Sequence, residues 1–173
     1  MDIECDLSGT WSGHYVQRDV AHAITAEFHQ HGECVTGTMC DADVQHESSL
    51  FEAAIEAGLP PGADEQIADR LRSLFPGAAQ GPIRYEVQFP SESVVTGTVR
   101  GGVLTFLKTY KGQYFAGYRV GERRVGRVIE QHVVHYQGHI NDLGDLIQGQ
   151  WWIDAEPSQG VGRADGSFVL RRL

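Results

Sequence analysis

The chain has 173 residues, of which 41% are hydrophobic and 21% charged, and its formal net charge at pH 7 is −9. These values predict a soluble globular protein with a sizeable core. The acidic balance and the lack of a long basic run argue against nucleic-acid binding as the main task. No stretch approaches the ~18 consecutive apolar residues of a membrane-spanning helix.

The cysteines and the first residues bear on the cellular compartment. Cys5, Cys34 and Cys40 are too few for a disulfide framework and too widely spaced for a zinc site. No basic segment followed by an apolar run opens the chain, so no secretory signal is predicted. We therefore expect a reduced, cytoplasmic protein without a metal or other cofactor.

The first part of the chain alternates between apolar and polar residues with a period of two, which is typical of β-strands. Three strands are predicted over 9–18, 21–30 and 33–41. A hairpin is predicted between the second and third strands, because Gly32 can adopt a positive φ at little cost.

The period changes over 48–75, which predicts an insertion of two helices. Ser49 and Glu52 form a candidate capping box at the start of the first helix. The second helix is predicted over 64–74, and Pro60, Pro61 and Gly62 separate the two. Apolar residues on the helical faces would either plug an end of a barrel or form a lid over a pocket: Leu50, Phe51, Ile55, Ile67, Leu71 and Leu74.

Strand alternation resumes after the insertion, and Gly101-Gly102 predicts a tight hairpin. The further predicted strands are 82–89, 92–100, 103–110, 113–120, 130–140, 146–154 and 167–172. A long antiparallel meander has two exposed edges, and closure into a barrel removes them. The predicted fold is therefore all-β: an antiparallel up-and-down barrel of about 8–10 strands, one domain over 1–173, containing the helical insertion at 48–75.

Several predicted strands have a central glycine, as expected where a barrel bends its strands. The first strand contains Gly9-Thr10-Trp11, which resembles the Gly-x-Trp signature of the calycin superfamily of lipocalins, fatty-acid-binding proteins and avidins. The resemblance implies a calycin-like barrel in which Trp11 closes one end. It also implies that an arginine of the last strand, Arg171 or Arg172, packs across the indole.

Candidate catalytic and metal-binding residues give weak patterns. The spacing places His29 with His31, and His135 with His139, on common strand faces, where outer polar positions are the simplest interpretation. Cys34 and Cys40 share a face, and no Gly-x-Ser-x-Gly nucleophile motif occurs. No catalytic or metal-ligating residue is therefore predicted.

Charged residues cluster in two places. Asp41, Asp43 and Glu47 are interpreted as a solvated face. The segment from Arg100 to Arg127 has seven basic residues and one acidic residue, which predicts either a solvated rim or a basic mouth that attracts an anionic ligand.

Aromatic residues spread over many strands predict either a filled core or a ligand cavity. From the alternation we expect the lumen to be lined by Tyr15, Phe28, Tyr85, Phe106, Tyr136 and Trp151. Lys108 or Arg119 would meet an acidic head group.

The leading hypothesis is the binding of a small hydrophobic or amphipathic molecule in a lipocalin-like lumen. One alternative is a filled barrel that acts as a protein-interaction or homo-oligomerisation module. A second, less favoured alternative is a small barrel enzyme of the isomerase or cyclase type, in which His14 or Glu27 would act.

Overall fold

A computed structural model describes residues 6–76, 81–129, 133–159 and 162–173. Within these ranges the chain forms twelve β-strands and two α-helices, with a short 3-10 helix at Pro157–Gln159. In chain order the elements are β1 (Gly9–Gln17), β2 (Val20–His31), β3 (Cys34–Asp41), β4 (Gln45–Ser49), α1 (Leu50–Glu56), α2 (Ala63–Leu74), β5 (Ile83–Gln88), β6 (Glu92–Arg100), β7 (Val103–Tyr110), β8 (Tyr114–Val120), β9 (Arg123–Ile129), β10 (Val133–Ile140), β11 (Leu146–Ile153) and β12 (Ala164–Arg172).

Eight of these strands form a closed antiparallel barrel in the order β1-β12-β11-β10-β7-β6-β3-β2. The first strand closes the barrel, because Trp11 pairs with Arg172 of β12 on one side and with Ala26 of β2 on the other. The prediction of an all-β antiparallel barrel with a two-helix insertion is confirmed.

Alternate residues of the barrel strands point inward, as the period of two predicts. In β2, for example, His22, Ile24, Ala26 and Phe28 are buried, whereas the residues between them are exposed. The core of the barrel is thus built from one face of each strand.

The two glycines that flank Trp11 are required for different reasons. Gly9 has a φ of +125°, which side chains other than hydrogen rarely allow. A Cβ atom at Gly13 would overlap the carbonyl oxygen of Val169 on β12. Gly9 therefore allows the backbone conformation at the start of β1, and Gly13 allows β1 and β12 to approach each other closely.

The remaining strands form a separate four-stranded antiparallel sheet in the order β4-β5-β8-β9. The chain divides into two compact units, a barrel unit (1–43, 90–112 and 131–173) and a sheet unit (44–89 and 113–130). This differs from the expectation of one barrel domain with an insertion limited to 48–75. The alternation of a strand shows that it belongs to a sheet, but not to which sheet.

The insertion contains the two expected helices. In α1 the Ser49 hydroxyl accepts a hydrogen bond from the backbone of Glu52 at 3.2 Å, and the Glu52 carboxylate accepts one from the backbone of Ser49 at 2.9 Å. Gly62 precedes α2 with a φ of +83°. Neither helix in the described ranges is long and apolar enough to span a membrane.

Fewer of the apolar residues on the helical faces are buried than the sequence predicts. Leu50 and Leu71 are buried, whereas Phe51, Ile55 and Leu74 are exposed. The role of this segment as a plug or a lid stays a prediction.

Candidate functional site

The indole of Trp11 is part of the barrel core and has no exposed surface. Its Nε1 donates a hydrogen bond to the carbonyl oxygen of Leu7 at 2.9 Å. The guanidinium of Arg172 lies 5.0 Å from the centroid of the indole, and it also donates to the carbonyl oxygens of Asp6 and Ser8. Arg172, and not Arg171, is therefore the arginine that packs across Trp11, although both residues are exposed.

The middle of the barrel is occupied by aromatic rings that contact one another. Phe106 stacks on Tyr136 with centroids 4.6 Å apart, and Phe28 lies 5.8 Å from Phe106. Phe168 packs edge-on against Tyr136 at 5.0 Å. The predicted lining residues Phe28, Phe106 and Tyr136 thus lie inside the barrel, where they pack as a ring cluster.

Beyond the ring cluster, the barrel contains a buried ion pair between β7 and β3. The ammonium of Lys108 donates to both carboxylate oxygens of Asp41, each at 2.6 Å, and to the hydroxyl of Tyr110 at 3.1 Å. The side chains of Lys108 and Asp41 are only 1% and 3% exposed. Lysine and aspartate are almost never buried this deeply unless they are paired, as they are here.

Further aromatic side chains surround the Lys108 ammonium, whose nitrogen lies 4.6 Å from the Tyr110 ring centroid and 6.0 Å from that of Tyr15. Tyr15 stacks on His22 at 4.9 Å and meets the edge of Trp151 at 5.7 Å. We call this group the Lys108 cluster; its members are Tyr15, His22, Asp41, Lys108, Tyr110 and Trp151. It brings together three of the predicted site residues, namely Tyr15, Lys108 and Trp151.

The strand register explains how these side chains meet. Lys108 follows Leu104 and Phe106 on the inward face of β7, and Tyr110 continues the same face. Asp41 occupies the corresponding phase of β3, after Val35 and Met39.

The interpretation of Asp41 as part of a solvated face is therefore wrong. Its phase with Val35 and Met39 is a sequence signal that could have identified it as inward-facing. Asp43, beyond the end of β3, is exposed, and its carboxylate lies 3.4 Å from the imidazole Nδ1 of His22.

The electrostatics of the Lys108 cluster follow from its burial. Burial lowers the pKa of the Lys108 ammonium, while the Asp41 carboxylate opposes this effect. Burial also raises the pKa of the Tyr15, Tyr110 and Tyr136 hydroxyls, and the negative charge of Asp41 adds to that rise. At neutral pH the cluster therefore presents neutral phenols beside Lys108 and Asp41.

The expectations that Tyr85 lines the barrel and that Arg119 meets a ligand head group there are wrong, because β5 and β8 belong to the four-stranded sheet. Tyr85 packs edge-on against Tyr118 at 5.5 Å. Arg119 pairs with Glu86 at 3.0 Å and with Glu47 at 2.6 Å. The segments that contain Tyr85 and Arg119 alternate between apolar and polar residues as the barrel strands do. Only the pairing of β5 and β8 with other strands shows that they belong to a different sheet.

The basic residues of the segment from Arg100 to Arg127 are divided between the barrel unit and the sheet unit. In the barrel unit, Arg100 pairs with Glu33 at 2.7 Å and Lys111 with Glu92 at 2.5 Å. In the sheet unit, Arg119 and Arg124 flank Glu86.

The candidate metal and thiol residues are dispersed. Within the described ranges, no group of three or more His, Cys, Asp or Glu side chains is arranged to hold a metal ion. His135 stacks on Trp152 at 5.1 Å and lies 3.1 Å from Asp154. Cys34 and Cys40 are exposed, and Cys5 and His132 lie outside the described residues.

Comparisons of the chain with protein-family models, with curated proteins and with solved structures gave no match. The candidate functional site of the described residues is the Lys108 cluster inside the closed barrel.

Proposed function

We propose that the barrel binds a small amphipathic molecule, whose apolar part contacts aromatic rings and whose neutral polar group meets the Lys108 cluster. The observation that carries this proposal is the buried Lys108–Asp41 ion pair. Removing two charges from water costs several kcal/mol per ion, and apolar residues of similar volume often serve stability equally well. The stability of the barrel alone therefore does not account for this pair.

The composition of the cluster favours a neutral polar group over the acidic head group considered from the sequence. Asp41 already contacts Lys108 through both carboxylate oxygens, so an anionic ligand would meet a nearby negative charge. The hydroxyls of Tyr15 and Tyr110, by contrast, are neutral donors and acceptors. A hydroxyl or carbonyl group on the ligand matches this chemistry.

The surroundings of the cluster favour a ligand with an apolar, planar body. Tyr15 is only partly buried, while its ring contacts His22 and Trp151. Aromatic rings contribute large apolar surface and prefer stacked or edge-on partners. We further propose that the chain is related to the calycin superfamily, an inference supported by Gly9-Thr10-Trp11 together with the position of Arg172 over Trp11.

The test compares two fluorescent probes that share one apolar body, 2-naphthol and naphthalene-2-carboxylate. We expect the neutral 2-naphthol to bind more tightly. Tyr15→Phe and Tyr110→Phe should each weaken its binding by about 2–10-fold, the effect of losing one hydrogen bond of ~0.5–1.5 kcal/mol. The matched control is Tyr118→Phe, a tyrosine of the sheet unit, which should leave binding unchanged.

Failure of both naphthalenes to bind, or binding that neither barrel tyrosine affects, would contradict the proposal. Native mass spectrometry of the purified chain provides an independent test. A small excess mass that disappears on denaturation would support a carried ligand.

The packed ring cluster also favours the filled-barrel hypothesis, because Phe28, Phe106 and Tyr136 contact one another directly. A filled barrel that serves as an assembly module should form a stable oligomer in solution. Light scattering distinguishes this candidate, since a strict monomer that binds 2-naphthol supports the ligand-binding proposal instead.

A further inference from the structure

Lysine is used in only two places in this chain, Lys108 and Lys111, and the other twelve basic residues are arginines. Lys111 is half-exposed and pairs with Glu92 at the surface. Lys108 is the buried one, inside the barrel. Arginine is the better residue for a purely structural buried ion pair, because its planar fork binds a carboxylate in two places and is more weakly hydrated. A lysine at this position therefore calls for another explanation.

The chemical property that lysine has and arginine lacks is an amine that can lose its proton and attack carbon. We propose that Lys108 forms a protonated imine with an aldehyde or ketone ligand held in the barrel. This inference rests on the proposed ligand-binding function and specifies the polar group of the ligand as a carbonyl.

The neighbours of Lys108 provide for every proton in the reaction. The ammonium first transfers a proton to Asp41, whose oxygens lie 2.6 Å from the nitrogen. The neutral amine then adds to the carbonyl carbon, and one of its two protons passes from the nitrogen to the former carbonyl oxygen, which gives a neutral carbinolamine. Asp41 returns its proton to the carbinolamine hydroxyl, which leaves as water while the carbon–nitrogen double bond forms. The net change is ammonium plus carbonyl to iminium plus water, and no oxidant or reductant is needed.

The charge balance of the cluster is the same before and after this reaction. The iminium keeps the positive charge on the nitrogen of Lys108, so Asp41 remains its counterion. The Tyr110 hydroxyl accepts a hydrogen bond from the Lys108 nitrogen at 3.1 Å and therefore helps to position that nitrogen. The rings of Tyr15 and Tyr110 lie around the same nitrogen and limit the access of water, which would hydrolyse the imine.

Burial also favours the reactive form of the amine. It lowers the pKa of Lys108, so that proton transfer away from the ammonium is easier than at a surface lysine. The exposed Lys111, only three residues away, provides an internal comparison within the same chain.

The test uses the full chain with 4-(dimethylamino)cinnamaldehyde as the probe and sodium borohydride to reduce the imine to a stable secondary amine. We expect one label per chain, mapped by peptide mass to Lys108. The label at Lys108 should exceed that at Lys111 at least several-fold, because the Lys108 nitrogen lies among aromatic rings and beside a carboxylate that can accept its proton. A red shift of the probe absorption, before reduction, should report the protonated imine.

Variants separate reactivity from folding. Lys111→Arg should keep the label. Lys108→Met combined with Asp41→Asn replaces the pair with neutral side chains of similar size, and it should lose the label while the barrel remains folded by circular dichroism. The matching alcohol, 4-(dimethylamino)cinnamyl alcohol, measures binding without a carbonyl group.

The outcomes distinguish this inference from the function on which it rests. If the alcohol binds but the aldehyde is not trapped at Lys108, the imine proposal is overturned and the ligand-binding proposal stands. Equal labelling of Lys108 and Lys111 also overturns it, because the reaction is then that of any amine. If neither molecule binds and no label appears at Lys108, both proposals are overturned.

Discussion

The barrel unit and the sheet unit each bury a carboxylate, but they neutralise it differently. In the sheet unit, Glu86 is 1% exposed and contacts Arg119 and Arg124, which are 38% and 47% exposed. In the barrel unit, both members of the Lys108–Asp41 pair are buried. The sheet arrangement keeps its two cations partly hydrated and therefore limits the cost of desolvation. The barrel arrangement removes both charges from water. We therefore regard Glu86 and its arginines as a structural ion pair, and Lys108 with Asp41 as part of a candidate site.

The largest effect is expected from a substitution that removes only one of the two charges of the Lys108–Asp41 pair. Asp41→Asn leaves a buried ammonium without its counterion, and it should lower the free energy of unfolding by about 3–5 kcal/mol. The double variant Asp41→Asn with Lys108→Met should recover most of this loss, because no uncompensated charge remains. Urea denaturation at neutral pH, followed by tryptophan fluorescence, measures both.

The surface pair of Lys111 supplies the control for this experiment. Glu92→Gln leaves Lys111 without its carboxylate partner, but in water, and should cost less than about 1 kcal/mol. Equal stability of Asp41→Asn and the double variant would show that the buried charge carries no special cost. The contrast between the two units would then disappear.

Each unit contains a pair of glycines that face each other on neighbouring strands. The strands that carry these two pairs differ in their freedom to shift. Gly138 faces Gly149 in the barrel, and Gly117 faces Gly126 in the sheet. A Cβ at Gly149 would overlap the carbonyl oxygen of Gln137, and one at Gly126 would overlap that of Ala116. Strand β11 is paired on both sides, whereas β9 is at the edge of its sheet.

Gly149→Ala should therefore be more destabilising than Gly126→Ala. Forcing an extra carbon into a packed site typically costs about 1–3 kcal/mol, and the edge strand can relieve part of that cost by shifting. Thermal denaturation of the two variants gives the comparison. Gly162→Ala is the control, because no atom lies within 4 Å of the position that its Cβ would take. Equal losses of stability in Gly149→Ala and Gly126→Ala would contradict the idea that the edge strand β9 relieves part of the cost by shifting.

These glycines show how far sequence reasoning extends. Central glycines within alternating segments predict bent strands, and Gly101-Gly102 predicts a hairpin that the structure contains between β6 and β7. Nothing in a single segment predicts its partner, because strand pairing joins residues far apart in the chain. The assignment of β5 and β8 to a second sheet therefore cannot be predicted from the sequence. For that reason the positions expected for Tyr85 and Arg119 differ from those in the structure.

The Lys108 cluster shows the same division between local and distant information. Lys108 shares its alternation phase with Leu104 and Phe106, so its inward position was predictable. Asp41 shares the phase of Met39, but the usual preference of acidic residues for water outweighed that pattern. Their mutual contact depends on how β3, β6 and β7 are ordered in the barrel, which only the structure provides.

A smaller effect is expected when the carboxylate of the sheet unit is neutralised. Glu86→Gln should lower the free energy of unfolding by about 1 kcal/mol, since its arginine partners can turn towards water once the charge is removed. At about 1 M salt, where the screening length falls to about 3 Å, this loss should shrink. The loss caused by Asp41→Asn should stay nearly constant in salt, because its site is buried. The same salt response at both sites would remove the distinction between them.

The smallest effect concerns the arginine–aromatic contacts that both units contain. Arg172 lies 5.0 Å from the centroid of the Trp11 indole in the barrel, and Arg124 lies 5.5 Å from the Phe115 ring in the sheet. Tryptophan offers the strongest face to a cation, so Arg172→Ala should cost about 0.5–1 kcal/mol. The neighbouring Arg171→Ala, an exposed residue on the same strand, should stay within about 0.5 kcal/mol of the parent protein. If denaturation shows equal effects, Arg172 contributes no more than any surface arginine, because the indole of Trp11 is then held by Leu7 and the surrounding core alone. In that case the resemblance to the calycin superfamily would lose the structural support that the last strand gives it.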